Sequence, residues 1–201
     1  GGAGPCTLSL PGTSGGLIAT FSQSGWPLAV NVIGPGTVTS APEGINCSSG
    51  TCVATFPPGT TVSLSATPGA AAVFDGWSGA CAGTGGCSVT LTTGQTVSAM
   101  FTARPTVTAF TANVAFPVQV GTRITWTTTV SGGVQPVEYE FTREDDRTPV
   151  LVQRYSTTST YAWIPTATDI GSHRLQVAVR NAGSGSPGDD YAITESFEVI
   201  P

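Results

Sequence analysis

The residues able to do chemistry in this 201-residue chain are few. There are five cysteines (Cys6, Cys47, Cys52, Cys81 and Cys87) and a single histidine, His173; lysine is absent, so every basic residue is an arginine. Without lysine there is no Schiff-base chemistry, no phosphate-loop lysine and no lysine–asparagine isopeptide cross-link, and one histidine cannot serve a site that needs two. Cys47 and Cys52 are separated by Ser-Ser-Gly-Thr, and Cys81 and Cys87 by Ala-Gly-Thr-Gly-Gly. Such small, flexible intervals suit two local disulfides, Cys47–Cys52 and Cys81–Cys87, formed in an oxidising compartment. A four-cysteine zinc site is the sharper alternative, against which stand its loose spacings and the lack of neighbouring basic residues. Crossed pairings are the third option. No Cys-x-x-Cys is present to support redox chemistry.

His173 follows Gly171-Ser172 and enters a predicted strand, where it reads as a surface or strand-end residue rather than a catalytic base. No Gly-x-Ser-x-Gly elbow accompanies it. Two acidic turns, Glu144-Asp145-Asp146 and Gly188-Asp189-Asp190, make Asp145, Asp146, Asp189 and Asp190 weak calcium candidates. Calcium takes several oxygen ligands, and paired acidic loops at one end of a sandwich would supply them. Arg143 and Arg147 flank the first turn and would neutralise it, so solvated turns are the simpler reading and no metal is assigned. Tyr139 and Phe141 share one strand face, as do Tyr161 and Trp163. Exposed, Tyr139, Tyr161 and Trp163 would stack on sugar rings; turned inward, they are core. Trp77 and Trp126 read as core. No catalytic residue and no cofactor are assigned, and the chain reads as non-enzymatic.

The elements that must position these residues are strands. Segments such as Thr61–Ala66, Ser88–Leu91 and Val97–Phe101 alternate with period two between Gly, Pro, Asn and Asp punctuation. Beyond Arg104-Pro105 seven more follow: Thr106–Phe110, Thr122–Val130, Val137–Phe141, Val150–Tyr155, Thr158–Trp163, Arg174–Arg180 and Tyr191–Val199. One short helical turn is expected around Ala167-Thr168-Asp169. The fold class is all-β. With 39% hydrophobic residues the chain carries enough apolar side chains for packed cores. A net charge of -5 without a basic cluster excludes nucleic acid and anionic lipid as partners. No apolar run approaches the roughly 20 residues of a membrane span.

An internal repeat explains the odd cysteine. Cys6-Thr7-Leu8-Ser9-Leu10 reads like Cys87-Ser88-Val89-Thr90-Leu91, and Leu17-Ile18-Ala19-Thr20-Phe21-Ser22 like Val97-Ser98-Ala99-Met100-Phe101-Thr102. Residues 1–22 therefore read as the last hairpin of a preceding repeat, 27–103 as a complete copy, and 105–201 as a different domain. Cys6 occupies the place of Cys87, so its partner is expected off this chain, in an upstream segment or a neighbouring molecule, with an unpaired reactive thiol as the third option. The opening Gly-Gly-Ala-Gly-Pro-Cys, with no initiator Met and no signal peptide, reads as processed or excised from something longer.

Residues 27–103 resemble the divergent internalin-type B-repeat of bacterial secreted and surface proteins. The resemblance rests on Gly34-Pro35-Gly36-Thr37-Val38-Thr39-Ser40, Gly44-Ile45-Asn46-Cys47, Cys52-Val53-Ala54-Thr55-Phe56, Gly59 to Pro68, Phe74-Asp75-Gly76-Trp77-Ser78-Gly79-Ala80-Cys81 and Val97-Ser98-Ala99-Met100-Phe101. Residues 105–201 look like an immunoglobulin-like or polycystic-kidney-disease-type sandwich of bacterial surface proteins. That likeness is carried by Val120 to Trp126, Gly132 to Phe141, Tyr161 to Pro165 and Gly171 to Asn181. Together they imply a small disulfide-pinned β-repeat domain followed by a seven-stranded immunoglobulin-like β-sandwich. The implied role is a stalk or spacer of a secreted or cell-surface bacterial protein. Its implied partners are upstream domains of the same polypeptide or neighbouring copies. A filament subunit joined by strand complementation and an adhesin or carbohydrate-binding module are the alternatives.

Overall fold

The computed structural model describes residues 25–145 and 148–201, together with one antiparallel pairing near the start, β1 (Thr7–Leu8) with β2 (Leu17–Ile18). Cys6, Asp146 and Arg147 lie outside the described residues. The fold is all-β, with one short 3₁₀ turn at Ala167–Asp169, where a helical turn was expected.

Eight strands follow in the repeat: β3 (Trp26–Ile33), β4 (Gly36–Ala41), β5 (Asn46–Cys47), β6 (Gly50–Phe56), β7 (Thr61–Pro68), β8 (Ala72–Gly79), β9 (Cys87–Thr90) and β10 (Gln95–Ala103). They form two four-stranded sheets, β6-β3-β10-β8 and β5-β4-β7-β9. Period-two alternation gives each strand one apolar face. Leu28, Val30, Val32, Val97, Ala99 and Phe101 from the first sheet meet Val38, Val62, Leu64 and Val89 from the second, all buried. Gly34 holds φ +87°, and a Cβ there would lie 1.8 Å from the Phe101 carbonyl oxygen, so only glycine fits the turn between β3 and β4.

The two copies differ in pairing: β1 and β2 pair antiparallel with each other, whereas in the complete copy β9 pairs with β7, and β10 pairs with β3 and β8 in the other sheet. The apolar faces of β9 and β10 address one core from opposite layers, so the chain crosses between sheets after Leu91. Next to each other in one sheet, they could not both bury those faces from the two sides.

The second unit has nine strand segments: β11 (Pro105–Ala112), β12 (Val118–Gln119), β13 (Ile124–Gly132), β14 (Val137–Asp145), β15 (Thr148–Ser156), β16 (Thr160–Trp163), β17 (Gly171–Asn181), β18 (Asp190–Ile193) and β19 (Phe197–Ile200). They realise the seven predicted strands. The last is split into β18 and β19 along β17, and β12, which pairs with β19, falls in none of the predicted segments. The sheet β11-β13-β16 faces β12-β19-β17-β14-β15 in an immunoglobulin-like sandwich. Trp126, Phe141, Ile124, Leu175, Val177 and Val179 fill the space between them, each almost fully buried. With no disulfide in this unit, that packing is what holds the two sheets together.

Candidate functional site

The four described cysteines pair locally, Cys47–Cys52 with S–S 2.06 Å and Cys81–Cys87 with S–S 1.99 Å. All four thiols are consumed, which removes the zinc alternative and the crossed pairings. Cys47 and Cys87 are buried in the repeat core, so each bridge ties a loop end to packed strand.

The acidic turns are not brought together. Asp145 lies in register with His173 at one end of β17, whereas Asp190 faces Val179, six residues further along. At about 3.3 Å per residue the two turns are about 20 Å apart, too far to share an ion. Their carboxylates are also occupied. Arg143 donates to both oxygens of Asp145, Nε to Oδ1 at 2.6 Å and Nη2 to Oδ2 at 2.8 Å. Asp190 accepts from the Val107 amide at 2.7 Å, and Asp189 from the Asn181 amide at 3.1 Å. Among the described residues no group of three His, Cys, Asp or Glu side chains is placed to hold a metal.

His173 stands near the start of β17, as the strand-end reading had it, but is buried rather than at the surface. Its Nδ1 sits 2.7 Å from Asp145 Oδ1 and its Nε2 2.7 Å from the Asp169 carbonyl oxygen. Its ring packs edge-on against Trp163, with centroids 5.1 Å apart, and the Arg143 guanidinium covers the Trp163 ring at 4.1 Å. The histidine is thus a cross-brace between the β14 end and the 3₁₀ turn, with both nitrogens used. Burial would raise the Asp145 carboxyl, but its bonds to Arg143 and His173 and their charges outweigh that and hold it below the ordinary aspartate range. Hydrogen bonding from the Thr166 backbone is the leading cause that lowers Asp169.

The proposed glycan-facing aromatics belong to the core. Tyr139 is buried, Tyr161 stacks on Phe141 at 5.7 Å and on Trp126 at 6.0 Å, and Trp163 stacks on Trp126 at 6.5 Å. The strand alternation that put each pair on one face put it on the inner face, because Ile124, Trp126 and Phe197 line the same side. Trp77 and Trp126 are buried, as read from the sequence. The tyrosines that reach the outer face are others. Tyr191 is exposed, and Tyr155 is capped by Arg180 at 3.8 Å. Burial, with Glu140 and Tyr191 nearby, pushes the Tyr155 hydroxyl up to about 12.

The densest polar arrangement that sequence reasoning missed lies where the two units meet. Arg104 alone separates β10 from β11, and its amide donates to Ala71 O at 2.8 Å. Asn181, at the end of β17, is 7% exposed. Its Nδ2 donates to Ala103 O at 2.8 Å, across the junction, and its Oδ1 accepts from the Val134 amide at 2.7 Å. Gly133 holds φ +74° beside it, where a Cβ would lie 3.0 Å from both Asn181 Oδ1 and Pro105. Arg104 Nε faces Asp189 Oδ1 at 3.7 Å. A crevice of about 490 Å³ opens beside this contact, walled by Val73 and Asp75 of the repeat and by Val134 and the 182–189 turn of the sandwich. The only sequence signal was Arg104-Pro105 as a boundary. That Asn181 reaches it from 78 residues away is invisible in the linear order.

Fold and site thus define a two-unit β-protein whose polar groups serve mainly to join and brace its strands. Residues 26–109 match the Divergent InlB B-repeat domain family, a match that covers β3 to β10 and runs into β11. No curated protein matches the chain. Among solved structures it is similar to a DUF3823 family protein from Bacteroides ovatus ATCC 8483, at 12% identity over 87% of this chain and 98% of that one, with a TM-score of 0.32. It is also similar to the N-terminal eight Ig domains of Down Syndrome Cell Adhesion Molecule isoform 1.30.30, at 11% identity over 89% of this chain and 28% of that one, with a TM-score of 0.34. Likenesses at that level carry no argument, and the description of the sandwich rests on its own strand order.

Proposed function

We propose that this chain is a non-enzymatic structural module of a secreted or cell-surface bacterial protein, serving as a stalk or spacer. In this reading 27–103 and 105–201 are its two complete domains, the second of the bacterial polycystic-kidney-disease variety. Residues 1–22 close a preceding repeat, and the partners are upstream domains of the same polypeptide. The observation that carries the reading is the junction. A one-residue connection braced by Asn181, the Arg104 amide and the Arg104–Asp189 pair leaves little freedom between the units, as a spacer that must transmit position requires. The two disulfides support an oxidising compartment. The single imidazole, braced on both nitrogens inside the core, supports a role without catalysis.

Residual dipolar couplings test the mechanical part: one alignment tensor should fit the amides of both units. Two independent tensors would overturn the rigid-spacer reading. Mass spectrometry of native material tests the compartment. Both bridges should be found intact, and recovery with four free thiols at these positions would remove the extracellular assignment.

A further inference from the structure

We infer that the crevice between the two units is a binding site for a neutral saccharide. Its volume of about 490 Å³ lies within the range of about 300–1,000 Å³ common to small-ligand sites, and such sites favour domain junctions. Its chemistry is unbalanced in a specific way. Asp189 lines the crevice with its side chain only 5% exposed, and its nearest cation, Arg104 Nε, stands 3.7 Å away, beyond hydrogen-bonding distance. The Arg104 guanidinium is 44% exposed and donates no hydrogen bond among the described residues. Asp189 Oδ2 already accepts from the Asn181 amide at 3.1 Å, so it is Oδ1, without a donor among the described residues, that stands beside a guanidinium short of acceptors on one wall.

A pair of adjacent hydroxyls meets both needs, because each hydroxyl donates once and accepts twice. One oxygen accepts from Arg104 while its neighbour donates to Asp189, and Asp75 and Ser184 stand within the same crevice for further hydroxyls. Charged ligands fit worse. A carboxylate would face Asp75 and Asp189, and an ammonium would face Arg104. Val73 on one side and Val134 on the other, the latter 52% exposed, offer apolar surface to the C–H face of a sugar ring. No aromatic ring lines the crevice, so binding is weak and in fast exchange, with affinity from hydrogen bonds and aliphatic contact alone. This site stands apart from the core aromatics and does not depend on the spacer role.

The test is a two-dimensional amide NMR titration of the intact chain with glucose, galactose, N-acetylglucosamine and glucuronate, each into the millimolar range. At least one neutral sugar should shift the amides of Arg104, Val134 and Ser184 in a saturable way, with glucuronate several-fold weaker. Arg104→Ala should weaken the interaction at least tenfold. Because that change also touches the junction, Val134→Glu is the second variant. It adds a third acid to the wall at an exposed position and should weaken binding while leaving thermal unfolding unchanged. No saturable shift with any of the three neutral sugars overturns the proposal. So does binding of equal strength in both variants, or glucuronate binding more tightly than its neutral counterpart.

Discussion

Replacing Asn181 with alanine removes two hydrogen bonds at once from a side chain that is almost wholly buried. The bond to Ala103 O spans the junction, and the bond from the Val134 amide holds the turn between β13 and β14. Each is worth about 1 kcal/mol net, and leaving a partly buried carbonyl and amide unpaired adds to the loss, for roughly 2–3 kcal/mol in all. In a domain of this size that lowers the melting temperature of the sandwich by roughly 10–20 °C. Asn181→Asp separates the two contacts. A carboxylate still accepts from Val134 but has no hydrogen to give Ala103 and sets a buried charge against that carbonyl, so this variant loses at least about 1 kcal/mol while the junction loosens. Calorimetry reads the stability, and backbone ¹⁵N relaxation reads whether the units tumble together. Asn181→Ala unfolding within about 0.5 kcal/mol of the parent would refute the assignment, since that is the range of an ordinary surface change. Unchanged common tumbling in Asn181→Asp would refute the clamp specifically.

Replacing Cys47 and Cys52 together by serine should destabilise the repeat by about 2 kcal/mol, the chain-entropy value of so short a loop, and the Cys81–Cys87 pair should behave alike. Urea midpoints measure both, and no loss for either pair would show that the bridges pin nothing. Gly34→Ala forces a methyl onto the Phe101 carbonyl at 1.8 Å in a backbone conformation alanine resists, so the repeat should fail to fold natively while the sandwich keeps its near-ultraviolet signal. Asp145 and Asp169 are both held below their unfolded value of about 3.9. Their contribution is therefore complete above that pH and is lost as pH falls through the lower folded values. Acid unfolding of the sandwich should shift to higher pH in Asp145→Asn, and an unshifted acid limb would remove this brace from the account.

Much of this protein was legible because its determinants are local. Period-two alternation names the strands from Thr61–Ala66 through Tyr191–Val199, and seven of them fall in the sandwich. The four-residue and five-residue intervals between cysteines bring Cys47 to Cys52 and Cys81 to Cys87 over distances a short loop can close. Alternation also placed Tyr161 beside Trp163, but a period of two states only that residues share a face, never which face the core takes. The buried side followed from Trp126, Phe141 and Phe197 across the sandwich, so the proposed sugar-facing rings became its centre. His173 and Asp145 are 28 residues apart and meet only because β14 and β17 pair in a particular register.

By itself, then, the sequence determined the all-β class, the local disulfides and the absence of lysine chemistry. Each depends on residue types within a few positions of one another. Tertiary structure alone decided that β9 and β10 part into different sheets, that the acidic turns stand at opposite ends, and that Asn181 closes the junction. Those outcomes depend on which strands become neighbours, and that choice is made by burying many one-sided apolar faces in common cores.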